Sequence, residues 1–150
     1  MKTEFLDEIE ALIYKGNKED KAVSLKGTYW HVDHMLKVIN SVCFAIQKSK
    51  PETFKSKINL VWQIMKIKGS FPRGKGKAPK AVLPPEIILE EELKSALKMA
   101  RVNVEEIKKL PKKAYFEHPL FGSLDLKNTQ KFLDVHTNHH LKITRDILKR

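Results

Sequence analysis

Apolar residues recur at intervals of about three or four along most of the chain, the period of amphipathic helices. Phe5, Ile9, Leu12 and Ile13 share one face between Thr3 and Lys15, and Gly16 stops that pattern. After a polar stretch, Asn17 to Lys26, a second helix is predicted from about Thr28 to Lys48, ahead of Pro51. Pro51 suits a first helical position, so a third helix is predicted from there to about Lys68. Its apolar residues are Phe54, Ile58, Val61, Trp62, Ile64 and Met65. Residues 69–80 are rich in Gly, Pro and Lys and read as a long basic loop. A fourth helix follows Pro84-Pro85 and reaches about Leu110, with a break near Asn103 left open. Residues 116–122 read as a second loop, and a last helix covers about Asp125 to Lys149. No alternation of β-branched residues between turn signals predicts a strand. The expected class is all-α: a four-helix bundle with a short additional helix, in one domain spanning residues 1–150.

Composition adds limits. The 150 residues suffice for one domain with its own core. No apolar run reaches the roughly 20 residues that cross a bilayer, so no membrane partner is expected. The N-terminal residues carry acids early and lack a signal-peptide apolar segment, so a cytoplasmic location is expected. Cys43, the single cysteine, excludes an internal disulfide and a Cys-rich zinc motif. Val42, Phe44 and Ile46 surround it, and a buried structural thiol is preferred to a nucleophile. The net charge of +11 favours anionic ligands, but the lysines are scattered over every segment. Nucleic-acid binding is therefore disfavoured.

Histidine placement changes the picture most. Five of the six histidines fall in two clusters, His31 with His34, and His136 with His139 and His140. Imidazole is the commonest side-chain ligand for transition metals. On a helical wheel, Phe132, Leu133, Ile143 and Ile147 define the apolar arc of the last helix. His136 and His140 lie near its centre, about 40° apart, so both should point inward. His139 falls on the shoulder. Two inward imidazoles without partners would cost a few kcal/mol, which favours a shared ion over two satisfied core histidines. On the second helix, Val32, Met35, Leu36, Ile39, Val42, Cys43 and Ile46 define the arc. His31 lies inside it and His34 on its edge, in a row with Val38, Ser41 and Ala45. Periodicity alone slightly prefers His31, and His34 stays open. Three imidazoles leave an open position suited to Zn²⁺, Ni²⁺ or a related divalent ion. Asp33 faces away and reads as a solvent or outer residue.

Several segments carry a resemblance. They are His31-Val32-Asp33-His34-Met35-Leu36-Lys37-Val38-Ile39-Asn40, Phe71-Pro72-Arg73-Gly74-Lys75 with Pro79-Lys80-Ala81-Val82 and Pro84-Pro85, His118-Pro119-Leu120-Phe121-Gly122, and Phe132 to Lys142. Together, in this order, they resemble an uncharacterised branch of the DinB-like superfamily, over about Trp30 to Ile147. The resemblance implies a four-helix bundle holding a divalent metal (Zn, Ni, Fe or Mn) through three histidines. One comes from the second helix and two from an H-x-x-x-H pair on the last. His136 and His140 match that pair, and His34 matches the third ligand, with His31 as its rival. His31 and His139 are otherwise outer residues. Relatives of this kind include thiol-dependent transferases and metal-dependent hydrolases, which implies a low-molecular-weight thiol as one co-substrate option.

Arg73, Lys75, Lys77 and Lys80 could steer a small anionic substrate to the bundle mouth, and a solvated loop is the plainer alternative. The glycine spacing there is not that of a nucleotide-binding P-loop. His118 could contact substrate or hydrogen-bond a turn, and the turn is preferred. A homodimer is one oligomeric option. The leading functional expectation is a metal-dependent transferase or hydrolase. The alternative is a non-catalytic bundle with a structural metal or a ligand- or partner-binding role.

Overall fold

A computed structural model describes residues 1–74 and 78–149 of the chain. Its helices are α1 (Glu4–Tyr14), α2 (Thr28–Gln47), α3 (Leu60–Lys68), α4 (Glu90–Ile107) and α5 (Leu126–Leu148). Two short strands, β1 (Tyr115–His118) and β2 (Gly122–Asp125), lie between α4 and α5. Single 3-10 turns occupy Pro51–Thr53 and Lys80–Val82.

The apolar stripes anticipated from sequence form a continuous core. α2 is central and packs against α1, α4 and α5. Its stripe of Val32, Met35, Leu36, Ile39, Val42, Cys43 and Ile46 is buried throughout. α4 adds Leu93, Leu97, Ala100, Val104 and Ile107 to the same cluster, and α5 adds Phe132, Leu133, Val135 and Leu141. Cys43 is fully buried, and burial pushes its thiol up to about 12, so it stays protonated.

The loop between α1 and α2 is pinned by side chains. Thr28 Oγ1 accepts the Lys18 N–H at 2.9 Å, and Asn17 Oδ1 accepts the Tyr29 N–H at 3.1 Å. These bonds fold residues 17–26 back over the start of α2.

Three expected elements are corrected. The third helix begins at Leu60, not Pro51: Pro51 opens only a 3-10 turn, and Asn59 caps the helix by accepting the Trp62 N–H at 2.9 Å. Only Trp62 of the anticipated apolar face is buried, while Ile58, Val61 and Ile64 are exposed. α3 rests on α5 along that one side. The fourth helix begins at Glu90 and runs unbroken past Asn103. Asn103 does not interrupt it because its amide donates to Asn40 Oδ1 across the α2–α4 contact, at 3.0 Å. Residues 115–125 form an antiparallel hairpin instead of a loop, with Phe116 opposite Leu124 and His118 opposite Gly122. Strands of four residues are too short to show an alternation in sequence.

Candidate metal centre

α2 and α5 cross with their histidines facing each other. One potential ligand nitrogen from each of His34, His136 and His140 lies within 4.8 Å of the others. All three are buried within the group. The i, i+4 spacing puts His136 and His140 on one face of α5, with ring centroids 4.7 Å apart. His34, at the edge of the α2 stripe, meets both rings. The small residues along that edge, Val38, Ser41 and Ala45, accompany it at helical spacing.

Hydrogen bonds fix the chemical state of His34. Its Nδ1 lies 2.8 Å from the Val82 carbonyl oxygen, which can only accept. Nδ1 therefore carries the proton and Nε2 presents a bare lone pair. That Nε2 sits 3.3 Å from His136 Nε2. Two nitrogens about 2.0–2.1 Å from one tetrahedral Zn²⁺ are about 3.3–3.4 Å apart, so this pair already has the spacing of two zinc ligands. His136 Nδ1 is sequestered with no hydrogen-bond partner among the described residues.

Electrostatics keeps all three rings neutral at pH 7. Burial pushes each below the usual imidazole range. The other histidines push His136 and His140 down further, while the Val82 carbonyl and Asp33 partly offset the shift at His34. Metal ligation needs neutral imidazole, so the donor set is in the required form. Three neutral nitrogens, two of them facing at ligand spacing and one ring left with an orphaned nitrogen, fit a divalent cation.

The rival, His31, is also buried, but the grouped ligand nitrogens are those of His34, His136 and His140. Its Nδ1 lies 3.0 Å from His140 Nδ1 and its Nε2 lies 3.1 Å from Ser24 Oγ. It is a hydrogen-bond partner of His140. Burial, and then the charges of His34, His139 and Arg73, lower it to about 4.

Protein-family models, curated proteins and solved structures were each compared with this chain, and none matches.

The remaining candidate residues sit around the trio. His139 faces Phe71 edge-on, with centroids 6.0 Å apart, and its Nδ1 lies 3.5 Å from Ser70 Oγ. Phe71 also packs edge-on over His136, and Trp30 stacks on His34 with centroids 5.2 Å apart. Arg73 pairs with Asp146 of α5 at 2.6 Å. Lys75 and Lys77 lie outside the described residues. His118 closes the hairpin turn: its Nδ1 accepts the backbone N–H groups of Leu120 and Phe121, and its ring stacks on Phe121 at 4.3 Å. The structure does not bring it into the trio. Asp33 is buried and lies 2.7 Å from Lys37 Nζ, which also donates to the Leu83 carbonyl. A surface cleft between α1 and α4, lined by residues such as Tyr14, Lys94 and Arg101, contains none of the histidines.

Two participants escaped the sequence reading. Ser24 stands in a polar stretch with no periodicity, and its approach to His31 depends on the fold-back set by Asn17 and Thr28. Val82 acts through its backbone carbonyl, which no side-chain pattern reports.

Proposed function

We propose that this chain is a divalent-metal protein, with His34, His136 and His140 holding the ion in a four-helix bundle of the DinB-like kind. The observation that carries this reading is the facing pair His34 Nε2 and His136 Nε2 at 3.3 Å, with the His34 proton held away by Val82. The packing of α1, α2, α4 and α5 around one core supports the DinB-like resemblance, as does the supply of ligands by the second and last helices. All-nitrogen ligation suits Zn²⁺ first, with Ni²⁺, Fe²⁺ and Mn²⁺ as alternatives.

Held by His34, His136 and His140, a divalent ion would supply Lewis-acid chemistry that makes a nucleophile of water or a thiol at neutral pH. This chemistry supports a thiol-dependent transferase or a hydrolase. Trp30 stacks on His34 and Phe71 packs edge-on against His136, so apolar rings line two sides of the trio. The cationic segment that includes Arg73 favours a small anionic substrate, and Arg73 could leave Asp146 to meet it.

A structural metal is the second reading, favoured by the Phe71 ring that covers His136 and His139. Metal content of tag-free protein tests the first point. About one equivalent of metal, lost in the His136→Ala/His140→Ala double variant, is expected. No metal, and no uptake of added Zn²⁺ or Ni²⁺, would sink both readings. Cobalt substitution separates them. A visible spectrum that shifts on adding a thiol supports the open, catalytic site, and an unresponsive spectrum supports the structural one.

A further inference from the structure

We infer that His31 is a positioning residue that, with Ser24, decides which nitrogen of His140 is open to the metal. The inference rests on the metal reading above and adds a role for two residues outside the ligand set.

The contacts form a chain. The Lys26 N–H donates to Ser24 Oγ at 3.0 Å. Ser24 Oγ lies 3.1 Å from His31 Nε2, and His31 Nδ1 lies 3.0 Å from His140 Nδ1. Two nitrogens at that distance share one proton, so the neutral rings have two consistent arrangements. In the outward one, His140 Nδ1–H donates to His31 Nδ1, and His31 Nε2–H donates to Ser24 Oγ. His140 Nε2 is then bare. In the inward one, the Ser24 hydroxyl donates to His31 Nε2, His31 Nδ1–H donates to His140 Nδ1, and the His140 proton sits on Nε2. That proton would block ligation. No charge is gained or lost between the two states; only the direction of the chain reverses.

Ser24 Oγ has two acceptor sites. Lys26 fills one and the outward chain fills the other, while its own hydroxyl hydrogen is free to meet water because the residue is half-exposed. At His34 the direction is fixed, because the Val82 carbonyl can only accept; with the outward chain at His140, two of the three histidines hold the proton on Nδ1. Outer partners of this kind fix the ring and raise its basicity.

Nitrogen-15 NMR of histidine-labelled, metal-free protein reads the tautomer directly. Zn²⁺ competition against a chromophoric chelator reads affinity. In the original chain, His140 is expected with its proton on Nδ1. His31→Leu should bring the Nε2-protonated form of His140 into the mixture and weaken Zn²⁺ binding about 10- to 100-fold. Ser24→Ala, a loop change that spares the core, should weaken it less and move the tautomer in the same direction. His140 carrying its proton on Nε2 in the original protein would overturn the inference. So would His31→Leu and Ser24→Ala proteins that bind Zn²⁺ as tightly as the original. If the original chain takes up no Zn²⁺ while His140 is protonated on Nδ1 and responds to Ser24→Ala, the chain of contacts stands and the metal reading falls.

Discussion

The Nδ1–H of His34 donates to the carbonyl of Val82 at 2.8 Å, so a turn 48 residues away determines which nitrogen of a helix residue is available. The neighbouring carbonyl, Leu83, accepts from Lys37 Nζ at 3.3 Å, and Lys37 also lies against Asp33. One side chain on α2 thus helps hold the turn that orients a second, three residues away.

Lys37→Ala tests that arrangement. Loss of the Lys37 contact frees the Leu83 carbonyl and loosens the Val82 acceptor without touching a ligand. A several-fold weakening of Zn²⁺ binding is expected, smaller than the roughly 10- to 100-fold typical of direct outer partners. Chelator competition measures it. Unchanged affinity would show that the turn is held by the rest of its packing.

Trp30 provides an optical report of the site. Its ring stacks on His34 at a centroid distance of 5.2 Å, with the planes 23° apart. The other tryptophan, Trp62, lies in the aromatic group of Phe121 and Phe132. In a Trp62→Phe protein, Co²⁺ or Ni²⁺ bound at the trio should quench the remaining emission in a saturable way, and the His136→Ala/His140→Ala background should abolish the effect. Quenching that survives in that background would mean the ion binds elsewhere.

The buried histidines make stability depend on pH, with a definite sign. His118 is depressed to about 4 by burial, while an unfolded histidine titrates near 6.5. Between those values the unfolded chain binds a proton that the folded chain refuses. Stability is therefore fully present above about 6.5 and falls as the pH drops towards 4. His31, also lowered to about 4, acts in the same window. The urea midpoint of metal-free protein should drop steadily from pH 7 to pH 5, and His118→Phe should reduce the slope. A midpoint that is flat across this range would contradict the neutral, buried state of these rings.

The helices and the α5 histidine pair were legible because both rest on a period. Apolar spacing gave the stripes of α1, α2 and α5, and the same wheel placed His136 and His140 inward. The third histidine of the group was less legible. His31 and His34 are both buried and both face rings of α5, and periodicity ranks burial but cannot tell which of them groups its nitrogen with those of His136 and His140. The α3 start was misread because Pro51 is a good first helical residue, yet the extended residues after Phe54 and the Asn59 cap move the helix nine residues on. The 115–125 hairpin was hidden by its length and by a turn closed through His118, whose ring accepts backbone N–H groups two and three residues on. Ser24 and Val82 were invisible because one depends on a loop fold and the other uses a backbone oxygen.

The fold-back that brings Ser24 to His31 should depend on Gly27. A methyl group there would lie 2.6 Å from Asn17 Oδ1 and 3.1 Å from the Lys18 carbonyl oxygen. Asn17 cannot swing away freely, because that oxygen accepts the Tyr29 N–H at the start of α2. The Lys18 carbonyl is itself tied to the Thr28 N–H at 2.9 Å. Gly27 has an ordinary extended backbone, so the difficulty is steric and not conformational. Gly27→Ala is expected to destabilise the protein by about 1–2 kcal/mol, within the range for losing a cap or forcing overpacking. It should also weaken Zn²⁺ binding, because the loop carrying Ser24 shifts. Gly16 is the control. Its φ of +74° needs the left-handed region, but nothing lies within 4 Å of its added carbon. Gly16→Asn, a residue that tolerates this conformation, should therefore cost under about 1 kcal/mol and leave metal binding unchanged. Urea unfolding and chelator competition on the two variants would separate them, and equal losses from both would remove the close approach at Gly27 as the cause.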